Sequence, residues 1–316
     1  MLYIVTGGAG FIGSHLTDAL VNQGHRVRVV DDLSTGHRGN IALHLASGAV
    51  ELVVADVAAA GVMQNAMQDA DGCFHLAAIA SVARGNEDWL GTHRVNLSGS
   101  IAVFDAARAA GRPGVRVPVV YASSAAVYGD QVAAVLHEGL LPRPMSAYGA
   151  DKLGSELHGR VGHLVHGVPT MGFRFFNVYG PRQDPASPYS GVISIFAERI
   201  GRGLPIRIDG DGWQTRDFIY VADVVAHLIA GMGVLRAVPQ AGVFNVCTGR
   251  ATSIRELAEV LGRLAGRVPE VVAAPPRAGD IRSSLGAPEA AVAALGVVAG
   301  VSLEDGLRAT LESLAG

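Results

Sequence analysis

Short apolar runs alternate with helix-patterned stretches along most of this 316-residue chain. Residues 2–5 form an apolar run suited to a buried strand, and Phe11, Ile12, Leu16, Leu20 and Val21 follow at helical spacing. The alternation recurs. Further strands are expected at 27–30, 50–54, 73–77, 117–121 and 169–176, with helices closing near 69–71, spanning about 87–110, and running on from Ser146. No hairpin signal interrupts the series, so the pattern predicts an α/β fold built on a doubly wound parallel sheet. A proline-rich stretch at 180–188 marks the crossing into a smaller C-terminal substrate-binding lobe. That lobe is expected to hold a helix at 192–202 and a loop through Arg216. A helix at 222–235 and a strand at 243–246 then return to the sheet, and helices at 254–264 and 303–314 close the chain. The expected division is 1–176 plus about 218–246 for the sheet, and about 177–217 with 247–316 for the lobe.

Composition narrows the class. Hydrophobic residues make up 49% and charged residues 17%, which suits a folded globular protein and excludes a disordered one. A net charge of −3 offers no field for nucleic acid or an anionic membrane, so any phosphate must be held by individually placed groups. The two cysteines, Cys73 and Cys247, have no metal or redox spacing. With no leader pattern and no membrane-length apolar run, a cytoplasmic protein is expected.

The glycines supply the first chemistry. Gly7, Gly10 and Gly13 lie between the first strand and the first helix, which suits a tight turn, close approach of backbone to a pyrophosphate, and close helix–strand packing. Asp31 ends the second strand, where a carboxylate accepts from ribose hydroxyls and repels a 2′-phosphate. The implied fold is a Rossmann sheet and the implied cofactor is NAD, not NADP. Arg38, the nearby cation, reads as a solvated loop residue. The positions Gly7, Asp31, Asp56, Ala77 and Ser124 all close strands, so they converge on one crevice.

Tyr148 and Lys152 stand four residues apart, on one helix face. A phenol is a poor base at neutral pH unless a neighbouring cation favours the phenolate, and Lys152 carries that charge. Ser124 is suited to orient or relay a substrate hydroxyl proton. These three are the candidate catalytic residues.

The segments Thr6-Gly-Gly-Ala-Gly-Phe-Ile-Gly13, His75-Leu-Ala-Ala78, Ser123-Ser-Ala-Ala-Val-Tyr-Gly129, Tyr148-Gly-Ala-Asp-Lys152 and Arg174-Phe-Phe-Asn-Val-Tyr-Gly-Pro181 together resemble the extended short-chain dehydrogenase/reductase family. Within it the chain is most similar to the nucleotide-sugar branch, the NAD-dependent UDP-glucose 4-epimerases. The resemblance implies an isomerase that inverts C4 of a UDP-hexose through a 4-keto sugar, and a homodimer joined through the helices at about 87–110 and 146–166. Alanines 106, 107, 109 and 110 are expected to let those helices pack closely. For the cofactor it implies contacts from Gly7, Gly10, Phe11, Ile12, Gly13, Asp31, Asp32, Ser34, Thr35, Gly36, Asp56, Val57, Leu76, Ala77, Ala78, Ala80 and Asn96, besides Tyr148 and Lys152. For the sugar nucleotide it implies Ser124, Tyr148, Asn177, Val192, Arg207, Arg216, Arg277 and Asp280, with Ser284 as a small gate that admits N-acetylated sugars. Arginines suit the diphosphate because a guanidinium grips two oxygens at once.

Three other readings share this pattern. Sugar-nucleotide dehydratases carry an acid where this chain has Ala125, and uronate-specific relatives carry an arginine where it has Asp184. A non-catalytic NAD-binding protein is the third, and the intact Ser124, Tyr148 and Lys152 argue against it.

Overall fold

The computed structural model describes residues 1–110, 116–187, 191–276 and 281–315. Its strands are β1 (Leu2–Thr6), β2 (Arg26–Asp31), β3 (Val50–Val54), β4 (Gly72–His75), β5 (Val119–Ser124), β6 (Thr170–Phe175), β7 (Asn177–Tyr179), β8 (Ile206–Asp209), β9 (Thr215–Tyr220), β10 (Ala241–Val246), β11 (Ala251–Ser253), β12 (Val271–Ala274) and β13 (Ser283–Ser284). The α-helices are α1 (Phe11–Asn22), α2 (Ala42–Ala46), α3 (Val62–Ala66), α4 (Val82–Glu87), α5 (Trp89–His93), α6 (Gly99–Ala110), α7 (Ala147–His166), α8 (Val192–Gly201), α9 (Val221–Ala237), α10 (Ile254–Leu264), α11 (Glu289–Leu295) and α12 (Leu303–Ala315).

Seven strands form one parallel sheet in the order β3-β2-β1-β4-β5-β6-β10. This is the doubly wound Rossmann sheet that the sequence predicts. Its strands are apolar on both faces because helices cover both. On β1, Tyr3 and Val5 join one core cluster with Leu16, Val224 and Leu228, while Ile4 joins the other with Met63, Val103 and Phe104. Burying each such side chain stabilises the fold by roughly 1.5–3 kcal/mol. The order reverses between β1 and β4, which opens a crevice at their carboxyl ends.

The C-terminal part adds two small sheets. In one, β9 pairs with β7, β11 and β13; in the other, β8 pairs with β12. A separate core cluster, including Ile193, Phe196, Ile206, Leu257, Leu261 and Leu307, holds α8, α10 and α12 together. No helix among the described residues is long and apolar enough to cross a membrane.

The helix expected at about 87–110 is present: helical turns run without a gap from Trp89 to Ala110, opened by the Asp88 carboxylate, which accepts from Gly91 N, and containing a π-helical turn at Arg94–Ser98 that the sequence did not announce. Within that turn Asn96 is fully buried, and its side chain bonds both the N–H and the C=O of Ile79. Two sequence expectations need correction. The loop expected through Arg216 contains β8 and the start of β9. Ala106 and Ala107 do not face outward; both are completely buried against the sheet.

Candidate active site

The glycine loop is shaped by contact. A Cβ at Gly7 would lie 2.8 Å from Ala77 N, and one at Gly13 would lie 2.0 Å from Gly7 O. Gly7 also has φ +69°, in the left-handed region that suits glycine. Thr6 Oγ1 accepts from the N–H groups of Leu76 and Ala77, each at 3.2 Å, which ties the two strand ends across the crevice. The N-terminus of α1 has no side-chain cap and no acid in its first turn, and Gly10 N donates to Gly7 O at 3.1 Å to close the turn, so the first-turn N–H groups at Phe11 and Ile12 fit an anionic pyrophosphate.

Asp31 is buried and accepts from Ala9 N and Leu33 N, both at 2.9 Å. Two accepted bonds leave lone pairs for ribose hydroxyls. Burial raises the Asp31 pKa and the two backbone donors oppose that rise. Gly36 packs on this carboxylate, with room for no side chain. Asp32 turns away to receive Ser34 N and Oγ, and Thr35 is exposed, as is Arg38. Asp56 receives Ala58 N and pairs with Arg94 at 2.7 Å, Val57 is buried beside Gly99, and Ala78 and Ala80 follow β4 in the loop that Asn96 fastens at Ile79. These groups fit NAD at the strand ends.

Tyr148 and Lys152 lie on α7, whose N-terminus Ser146 caps by accepting from Gly149 N at 3.1 Å. The Tyr148 phenol shares a hydrogen bond with Ser124, and Lys152 Nζ sits 5.8 Å from the Tyr148 ring centre. Ser124 also accepts from Ala126 N. Burial raises the Tyr148 pKa and the Ser124 bond opposes it, so these two groups alone do not supply the depressed phenol that the sequence suggested. Lys152 is buried, donates to Ala122 O at 2.9 Å, and has its pKa lowered by burial to about 8. It is the only lysine in the chain. One turn further along α7, Glu156 makes a buried two-bond pair with Arg174 and receives Ser123 Oγ, which pins the helix to the sheet.

Beside this cluster, β9 gathers three more predicted residues. Asn177 is its register partner at Phe218, and Ser284 is its partner at Arg216. Ser284 is buried. Arg207 stands instead on β8, where it pairs with Asp209 at 2.8 Å, and Val192 opens α8. Arg277 and Asp280 lie outside the described residues.

Sequence reasoning missed Asp217. It is fully buried next to Arg216 and receives Thr248 N, Thr248 Oγ1, Gly249 N and Gly286 N. Its partners lie more than 30 residues away, so no local spacing announces it. His75 was visible only as part of a motif; it bonds Thr6 Oγ1 at 2.7 Å and Ser100 Oγ at 3.0 Å.

A parallel sheet with a glycine-lined crevice at its reversal point, and a Ser–Tyr–Lys cluster beside it, defines a class of enzyme that works with a bound dinucleotide. The particular family is fixed by comparison: residues 3–247 match the model of the NAD dependent epimerase/dehydratase family, and the chain belongs to that family. Its cofactor is NAD. A UDP-glucose 4-epimerase of Mycolicibacterium smegmatis is 37% identical over 99% of this chain and 98% of its own length. The solved UDP-glucose 4-epimerase of Thermus thermophilus in complex with NAD shares 34% identity, covers 100% of this chain and 99% of its own, and superposes with a TM-score of 0.87. The UDP-N-acetylglucosamine 4-epimerase of Methanobrevibacter ruminantium, solved with UDP-N-acetylmuramic acid, shares 32% identity over 99% and 97% of the two chains, with a TM-score of 0.92.

Proposed function

We propose that this enzyme inverts C4 of a UDP-hexose, interconverting UDP-glucose and UDP-galactose, and that it also accepts the N-acetylated pair. The observation that carries the reading is the Tyr148 phenol, hydrogen-bonded to Ser124 and facing the Lys152 ammonium, beside a strand that joins Asn177, Arg216 and Ser284. Tyr148 takes the proton of the C4 hydroxyl and later returns one, with Ser124 orienting that hydroxyl. The Lys152 cation favours the phenolate form of Tyr148. Bound NAD supplies the acceptor, and then the donor, of the C4 hydride. Arg216, with Arg277, grips the diphosphate, so the sugar is held at one end and free to turn over before its proton returns. Ala125 and Asp184 speak against elimination of water and against a uronate substrate.

Ser284 leaves space beside the sugar that a tyrosine would fill. Ser284→Tyr should abolish activity on the acetamido sugars and spare the plain hexoses. We further propose a twofold dimer through α6 and α7. The contact would use Leu157, Val161 and Leu164 of α7, exposed at 59%, 45% and 67%, with Ile101 of α6.

The test is incubation of the purified holoenzyme with the four UDP-sugars, no cofactor added, followed by product analysis. C4-inverted products, lowered about 10²- to 10⁴-fold in Tyr148→Phe, are expected. A dehydrated or decarboxylated product, or near-normal turnover in the variant, would overturn the assignment.

A further inference from the structure

Asp217 is completely buried on β9, and its carboxylate receives four donors from two distant segments. Thr248 N at 2.8 Å, Thr248 Oγ1 at 2.7 Å and Gly249 N at 2.9 Å come from the turn after β10. Gly286 N, at 3.3 Å, comes from the segment just past β13. Four donors fill the capacity of an ionised carboxylate, which an asparagine oxygen cannot match.

The segment at 285–287 is also held from its other side. Leu136 N donates to Leu285 O at 2.8 Å, and Ala287 N donates to Leu136 O at 2.9 Å. Asn245 Nδ2 donates to Leu136 O at 2.9 Å, while its Oδ1 accepts from Tyr128 OH at 2.7 Å. Gly286 fits between these groups only because it lacks a side chain: a Cβ there would lie 2.5 Å from Cys247 Sγ and 2.7 Å from Phe176 Cζ. This wall is therefore clasped between the loop that follows Ser124 and the strand that carries Arg216. Ser284, at its start, is the register partner of Arg216.

We infer that Asp217 is a positioning residue for the sugar-nucleotide half of the cleft, fixing the wall that holds Ser284 against Arg216 without touching the ligand itself. The inference rests on the reading of this cleft as a UDP-sugar site. The crevice for NAD hangs on β1, β2, β4 and α1, and the four donors to Asp217 come from none of these. Loosening Asp217 should consequently weaken substrate binding selectively.

The experiment compares Asp217→Asn and Thr248→Val with the wild-type holoenzyme, measuring UDP affinity by titration calorimetry, bound NAD, and kcat and KM separately. Asp217→Asn is expected to weaken UDP binding and raise KM about tenfold or more, with kcat within about threefold and NAD content unchanged. Thr248→Val, which keeps both backbone donors of the turn, is expected to move the same quantities the same way by less. Wild-type affinity for UDP in folded Asp217→Asn, or equal loss of UDP and NAD, would overturn the inference. If Asp217→Asn does not fold, unchanged UDP affinity in Thr248→Val overturns it. Wild-type protein that binds NAD but not UDP would overturn the underlying reading, and the inference with it.

Discussion

Lys152 meets two opposed demands: its chemistry needs a charge, and its burial disfavours one. Its pKa of about 8 means the ammonium persists below that pH and is lost above it. If the charge favours the Tyr148 phenolate, kcat/KM should fall along an alkaline limb centred near pH 8. A profile still rising at pH 9.5 would exclude that role. His75 shows the same physics on the acid side. Burial first, and then the Lys152 charge, lowers its pKa from 6.5 to about 3, so the folded protein refuses a proton that the unfolded chain accepts. The stability this contributes is complete above pH 6.5 and drains as pH falls toward 3. At pH 5 the loss from this one group is about 2 kcal/mol. His75→Gln should flatten the fall in stability between pH 7 and 5, measured by urea unfolding. At this scale the sequence was legible where one residue sits in a short motif, as with Gly7, Gly13 and Asp31. Asp217 was hidden because its meaning lies entirely in partners from other segments.

Among the elements, α7 carries both Tyr148 and Lys152, and its seat on the sheet depends on missing side chains. A Cβ at Gly159 would lie 2.8 Å from Tyr121 Oη, and one at Gly172 of β6 would lie 2.6 Å from it. The tyrosine is fully buried and cannot swing away. In an exposed helix Gly→Ala gains about 1 kcal/mol. Here the clash should reverse the sign, and Gly159→Ala should cost about 1–3 kcal/mol, read from chemical denaturation. A stabilised variant would show that α7 has slack. Long periodic helices and apolar strands were legible, and the helix at Ile254–Leu264 falls where the spacing predicted it. The helix from Trp89 to Ala110 was legible too, whereas its start at the Asp88 cap and its internal π turn were not, because they involve bonds to Gly91 and Ile79 that leave no trace in hydrophobic spacing. Strands β8, β9 and β13 escaped for another reason. They are two to six residues long, and β9 opens with Thr215, Arg216 and Asp217, which resemble a loop until partners are known.

For the whole molecule, the apolar stripe on α7 is the feature that the isolated chain leaves unexplained. Wild-type protein should sediment as a dimer at micromolar concentration, and Leu164→Glu should shift it toward monomer with the fold intact. A monomeric wild type would contradict this. Of the four alanines expected to let the helices pack, Ala106 and Ala107 are core residues, Ala110 is half-buried and Ala109 is exposed, since composition reports small size but not direction. One further consequence belongs to the chain's cationic inventory. Every one of its 25 lysines and arginines except Lys152 is an arginine. Apart from the α-amino group, an amine-selective acylating reagent therefore meets a single side-chain target, and it is enclosed beside Tyr148. Because the fold itself shields that lysine, mass spectrometry of the acylated protein should find its side chains unmodified in the native state and one acyl group added on unfolding, a direct count of molecules whose active site has opened.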